Sequence, residues 1–158
     1  MIRNRNFFKN FRKNNFSKQD LFNNSFICSN YEKSLFEEAC LENMHVCFSN
    51  FEKTVFKNAD LNSAKFRFSN LEESDFSGAD LINTRISSCN LEEADFSNSN
   101  LTDSKFNFSN FADANFSNAN LTNTDWLSAN VKNADFTGAI GLTDAQIEYL
   151  RKKGAKGL

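Results

Sequence analysis

The chain has 158 residues, of which 40% are hydrophobic and 24% charged, ordinary proportions for one globular domain with a real core, so wholesale disorder is excluded. Its 19 Phe, 25 Asn, five Gly and no Pro point to many equivalent stacked positions and few free loops. The net charge of −2 hides a basic segment 1–18 (six bases, no acid), an acidic body 19–139 (18 acids, 8 bases) and a basic end 140–158 (four bases, two acids).

Residues 1–13 form a basic N-terminal segment. It has the positive charge of a signal peptide without the continuous apolar stretch, and no later run is long enough to span a membrane. The protein is therefore expected to be soluble and cytoplasmic, in agreement with four cysteines (Cys28, Cys40, Cys47, Cys89), too few for a disulfide scaffold. Phe7, Phe8 and Phe11 are candidates to cover the first coil of the repetitive body that begins at residue 14. An anionic surface, nucleic acid or membrane, is the alternative partner of this segment.

From Phe11 to Phe136 every fifth residue, 26 in all, is Phe, Leu, Ile, Val, Tyr or Trp. Two residues before each centre from Ser29 on stands Ala, Ser, Thr or Cys, with Met44 the one exception. In an extended strand residues two apart point to one side, so a unit such as Ala79-Asp80-Leu81 sends its flanks inward and its middle outward. Five is odd, so the chain must turn a corner within every repeat to bring the next centre back inside. A second period of twenty sets the number of corners: Leu21 to Leu121, Phe36 to Phe136 and Asn30 to Asn130 each recur at that spacing. Twenty residues are four repeats, hence four sides. Six coils at ~4.8 Å give a rod of roughly 29 Å.

Ala59-Asp60-Leu61, Ala94-Asp95-Phe96, Ala119-Asn120-Leu121 and Ala134-Asp135-Phe136 carry a motif that resembles the pentapeptide-repeat family: a small residue, Asp or Asn, then Leu or Phe, then two variable positions. The resemblance covers about residues 14–140. It implies an all-β fold, a right-handed quadrilateral β-helix of about six coils. Met44 at a small position and Trp126 as a centre are departures expected to bulge the core locally.

A parallel stack needs caps over its open ends. At 141–158, Thr143 as N-cap with Gln146 three residues on fits a capping box, Leu142 and Ile147 fit a hydrophobic staple, and Arg151, Lys152, Lys153 and Gly154 suit a helix end. A capping helix is expected over 144–153, with Ile147 and Leu150 turned to the last coil or to a second copy in a homodimer.

The outward positions carry the candidate sites. Glu32, Glu52, Glu72 and Glu92 align at spacing twenty; like charges ~4.8 Å apart repel, which makes the column a candidate partner-binding ridge. The plainer alternative is a solvated face partly neutralised by Lys33 and Lys53. Phe48 and Phe68, with Phe108 two coils on, are a partner or dimer patch or simply pack on one another. The Asn column suits a ladder of stacked amides. His45 with Cys28, Cys40 and Cys47 lacks the paired spacing of four-ligand zinc sites, so no metal or other cofactor is expected.

With no insertion in the register to build a cleft, an enzyme is not expected. The chain reads as a non-enzymatic protein-interaction or structural module presenting rigid, mostly acidic flat faces to a macromolecular partner. The family resemblance implies an alternative, because some members resemble duplex DNA in width and charge, bind type II topoisomerases such as gyrase and protect them from quinolone drugs. The chain shares the acidic body but has no register-breaking loop of the kind that plasmid-borne members carry.

Overall fold

A computed structural model of the protein describes residues 5–158, with side chains from Phe7 onward. One conformation recurs every five residues: from Phe8 (φ 51°) to Asn133 (φ 61°) the second residue after each centre lies in the left-handed region, with glycine only at Gly78 within that series. Left-handed backbone is unfavourable for residues with a Cβ, least so for Asn, and Asn fills the corner at positions 23, 43, 58, 83, 98, 118, 123 and 133. The strain persists because the coils on either side hold each corner.

The coils pair with one another at a constant offset. Strands β1 (Arg5–Phe7), β2 (Ser25–Ile27), β3 (His45–Cys47), β4 (Lys65–Arg67), β5 (Arg85–Ser87) and β6 (Lys105–Asn107) form one parallel sheet in chain order, each residue beside the one twenty positions on. The other three sides are joined by single bridges at the same offset, such as Asn50↔Asn70, Asp75↔Asp95 and Asp60↔Asp80. The result is the four-sided β-helix expected from the two periods. β1 lies in the basic segment 1–13, so the winding is under way before residue 14.

The core is built of columns. Phe36, Phe56, Phe76, Phe96, Phe116 and Phe136 stack with centroids 4.8–5.3 Å apart and planes within 16° of parallel. Leu41, Leu61, Leu81, Leu101 and Leu121 are fully buried on another side. The bulge expected at Met44 does not form: the side chain is fully buried, and its backbone keeps both the turn bond to Leu41 O (3.0 Å) and the ladder bond from Lys65 N (2.8 Å). A flexible thioether fills the space without moving the chain. Trp126 also stays in register, its ring 4.5 Å from that of Phe106 and its Nε1 donating to Thr124 Oγ1 at 2.9 Å.

Sheet and turn sides differ in how the N–H of the residue after each corner is satisfied. On three sides it bonds the carbonyl three residues back, as Ala79 N does to Phe76 O (3.1 Å). On the sheet side the N–H of Ser29, Ser49 and Cys89 donates to the hydroxyl one coil on, of Ser49, Ser69 and Ser109, at 3.0–3.1 Å. Ala129 has no coil above it and turns back to Trp126 O (3.1 Å), which is where the sheet stops.

The C-terminal end is closed by α1 (Asp144–Lys152), with Lys153 as its C-cap, one residue short of the expected end. The capping box is complete: Gln146 N donates to Thr143 Oγ1 (3.3 Å) and Thr143 N to Gln146 Oε1 (2.8 Å). Leu150 is fully buried in the core, and the tail after the helix folds back to pair with the last coil, Phe136 N to Lys156 O (2.9 Å) and Lys156 N to Ala134 O (2.8 Å). At the other end Phe11 packs on Tyr31, but Phe7 and Phe8 are exposed (40% and 81%) and do not cover the first coil as expected. No helix of the described residues is long and apolar enough to cross a membrane.

Candidate functional site

The Asn column organises the acidic side. Oδ1 of Asn30, Asn50, Asn70 and Asn90 accepts the N–H of Glu32, Glu52, Glu72 and Glu92 at 2.9–3.4 Å, fixing where each glutamate leaves the backbone. From Asn70 to Asn130 the amides also donate along the column to the preceding Oδ1 at 2.7–3.4 Å.

The four glutamates share this side but not one environment. Arg12 (2.9 Å) and Lys33 (3.2 Å) hold Glu32, and Lys53 bridges Glu52 (3.1 Å) and Glu73 (2.9 Å). Partial burial pulls the Glu32 carboxyl upward, but the bonds from Lys33 and Arg12 outweigh it and leave it below the usual carboxylate value. Hydrogen bonds to Glu73 and Glu52 push the Lys53 ammonium above its usual range. Glu72 and Glu92 have no cation among the described residues and accept instead from Asn90 (3.0 Å) and Asn110 (3.2 Å). Glu93 and Asp113, on the neighbouring corner, also form no ion pair among the described residues. On this side and its corner the acids outside any ion pair among the described residues are thus Glu72, Glu92, Glu93 and Asp113.

The sheet side carries the opposite charge, which sequence reasoning missed. Parallel pairing sets His45, Lys65, Arg85 and Lys105 in one column, and Arg67 one column over beside Cys47 and Ser87. Four of the eight bases of residues 19–139 therefore lie on one face, where the two outward columns hold a single acid, Asp125, at the end. None of Lys65, Arg67, Arg85 and Lys105 is in an ion pair among the described residues. The signal was a recurrence at twenty in the column that begins each strand, the same signal that revealed the glutamates.

Phe48, Phe68 and Phe108 stand on the corner between the basic and acidic sides and are 54–62% exposed. Phe48 and Phe68 stack on one another (5.1 Å, 9°). All four cysteines are free; Cys89 is buried, which pushes its thiol up to about 11. Among the described residues no three His, Cys, Asp or Glu side chains are placed to hold a metal ion. Ile147 is half-buried on α1, while Leu150 lies wholly inside its own chain.

Residues 69–151 match the model of the pentapeptide repeat region, and residues 39–78 that of pentapeptide repeats in eight copies. The chain belongs to the pentapeptide repeat family. Solved structures with this fold include HetL, a pentapeptide repeat protein involved in heterocyst differentiation regulation from the cyanobacterium Nostoc sp. strain PCC 7120 (17% identity, TM-score 0.58, over 84% of this chain and 72% of that one). Trypsin-treated QnrB1, a plasmid-mediated fluoroquinolone resistance protein, aligns at 16% identity and TM-score 0.58 over 94% and 97% of the two chains. The Nostoc pentapeptide repeat protein alr5209 aligns at 23% identity and TM-score 0.56 over 66% and 84%. No curated protein matches the sequence. At these identities the pentapeptide repeat fold is what is shared.

Proposed function

We propose that this pentapeptide repeat protein is a non-enzymatic binding module that docks a basic protein partner on the acidic side of its rod. The observation that carries the proposal is the set Glu72, Glu92, Glu93 and Asp113, held without cationic partners among the described residues on a backbone whose corners repeat every five residues. A preformed surface of this kind loses little conformational freedom on binding, and its charge steers a basic partner toward it. A type II topoisomerase, whose DNA groove is basic, is the partner class to test first, and the fold shared with the fluoroquinolone resistance protein QnrB1 supports that choice.

The test is binding to gyrase and the effect on its supercoiling activity. Wild-type protein is expected to bind at low ionic strength and to weaken with added salt. The variant Glu72→Gln/Glu92→Gln/Glu93→Gln/Asp113→Asn should melt like wild type, since the four side chains point outward, and should bind about ten-fold or more weakly. Absence of wild-type binding at low salt overturns the topoisomerase reading. Undiminished binding by the variant overturns the acidic side as the contact.

A further inference from the structure

Inside the rod, Phe rings one coil apart stack at 4.8–5.3 Å, and Phe48 and Phe68 repeat that arrangement outside at 5.1 Å. The next corner in the column is Ser88, and Phe108 follows it. Phe68 and Phe108 are thus two coil rises apart, ~9.6 Å, and the interval over Ser88 is wide enough for one flat ring stacked on both sides. Beside this slot lies a cavity of about 480 Å³ on the sheet side, lined by Arg67, Phe68, Arg85, Ser87, Lys105 and Asn107. It presents three cations and no acid.

We propose that the sheet face binds single-stranded nucleic acid, with phosphates on Lys65, Arg67, Arg85 and Lys105 and bases against the Phe corner, one of them in the slot over Ser88. Flat rings tethered to a chain of negative charges are what a cationic strip beside spaced aromatic side chains recognises. A duplex keeps its bases stacked inside and has none to offer the slot; an acidic peptide or an anionic membrane satisfies the cations but not the ring spacing. This face is separate from Glu72, Glu92, Glu93 and Asp113, so the inference stands or falls independently of the acidic docking side.

The test uses the full chain and fluorescence anisotropy with labelled oligothymidylate and oligouridylate of about fifteen nucleotides. At about 50 mM salt at least one is expected to bind, and four released counterion sites predict a slope of about −3 in log affinity against log salt, roughly fifty-fold weaker at 200 mM. Lys65→Gln/Arg85→Gln/Lys105→Gln should lose most of the affinity and flatten the slope to about −1. Ser88→Phe keeps every charge and closes the slot; Phe already occupies this left-handed corner at positions 48, 68 and 108 (φ 49–56°), so the variant should fold. It should melt at or above wild type and bind about ten-fold more weakly. The proposal is overturned if neither oligonucleotide binds at low salt, if a duplex of equal length binds as tightly, or if folded Ser88→Phe binds like wild type. Displacement of the bound oligonucleotide by polyglutamate at equal charge concentration also overturns it, in favour of an acidic protein partner.

Discussion

Tyr31 shows what the stacked core asks of one side chain. Its ring lies between Phe11 and Phe51 at 5.2 and 4.8 Å and is fully buried, yet its hydroxyl has no hydrogen-bond partner among the described residues. Burial pushes the phenol well above its usual value. Tyr31→Phe keeps the ring and removes a desolvated hydroxyl, so it should stabilise the protein by about 1–2 kcal/mol in urea unfolding; a lower midpoint would reveal a partner for the hydroxyl. Ala79 (1% exposed) and Ser77, two residues before it, test the inward and outward assignment. Ala79→Leu forces a larger group into a filled column and should cost about 1–3 kcal/mol, whereas Ser77→Leu should be near neutral; equal melting temperatures contradict the assignment.

At the scale of elements, the cap and the sheet show different degrees of legibility. Helix α1 could be placed from sequence because its start is encoded locally, by Thr143 and Gln146 bonding each other's backbone across one turn. The tail that returns to pair through Lys156 could not, since Gly154-Ala155-Lys156 carries no periodic pattern and its pairing depends on where the helix has set it down. Helix and tail together cover the last coil, and Leu150 belongs to the core they close. Deleting residues 141–158 should therefore expose Leu121, Trp126, Val131 and Phe136 and cause aggregation, followed by light scattering. If instead the truncated chain is soluble and changes from dimer to monomer, the helix is a subunit contact resting on Ile147; an unchanged mass and solubility exclude both roles.

For the whole molecule, stability is close to a sum of coil terms and coil–coil terms, because each coil touches only its neighbours. Removing residues 61–80 joins Asp60 to Leu81 and keeps every column aligned at the twenty-residue offset. The shortened rod should still melt cooperatively, at a lower temperature. Removing only residues 61–65 shifts all later residues by one side, setting the Asn ladder and the Phe stack against the wrong partners. That smaller deletion should be the more damaging of the two, as followed by circular dichroism melts; the reverse order contradicts a four-sided register.

The repeat, the four sides, the inward columns and the capping helix were all legible in the amino-acid order alone. Each of these follows from local stereochemistry: small and large residues two apart choose a face, an odd repeat forces a corner, and identical residues twenty apart must stack. The Asn ladder was legible for the same reason, as a single column of one residue type. How unlike charges meet across columns emerged only once the coils were wound and stacked. Whether Glu52 is neutralised depends on Lys53 reaching both it and Glu73 in the next coil, and whether Lys65, Arg85 and Lys105 form a basic face depends on which acids their side excludes. Net charge sums over all four sides and conceals this segregation. Coulomb energy depends on distance in space, and in a solenoid the nearest charges are those twenty residues apart and those across a corner.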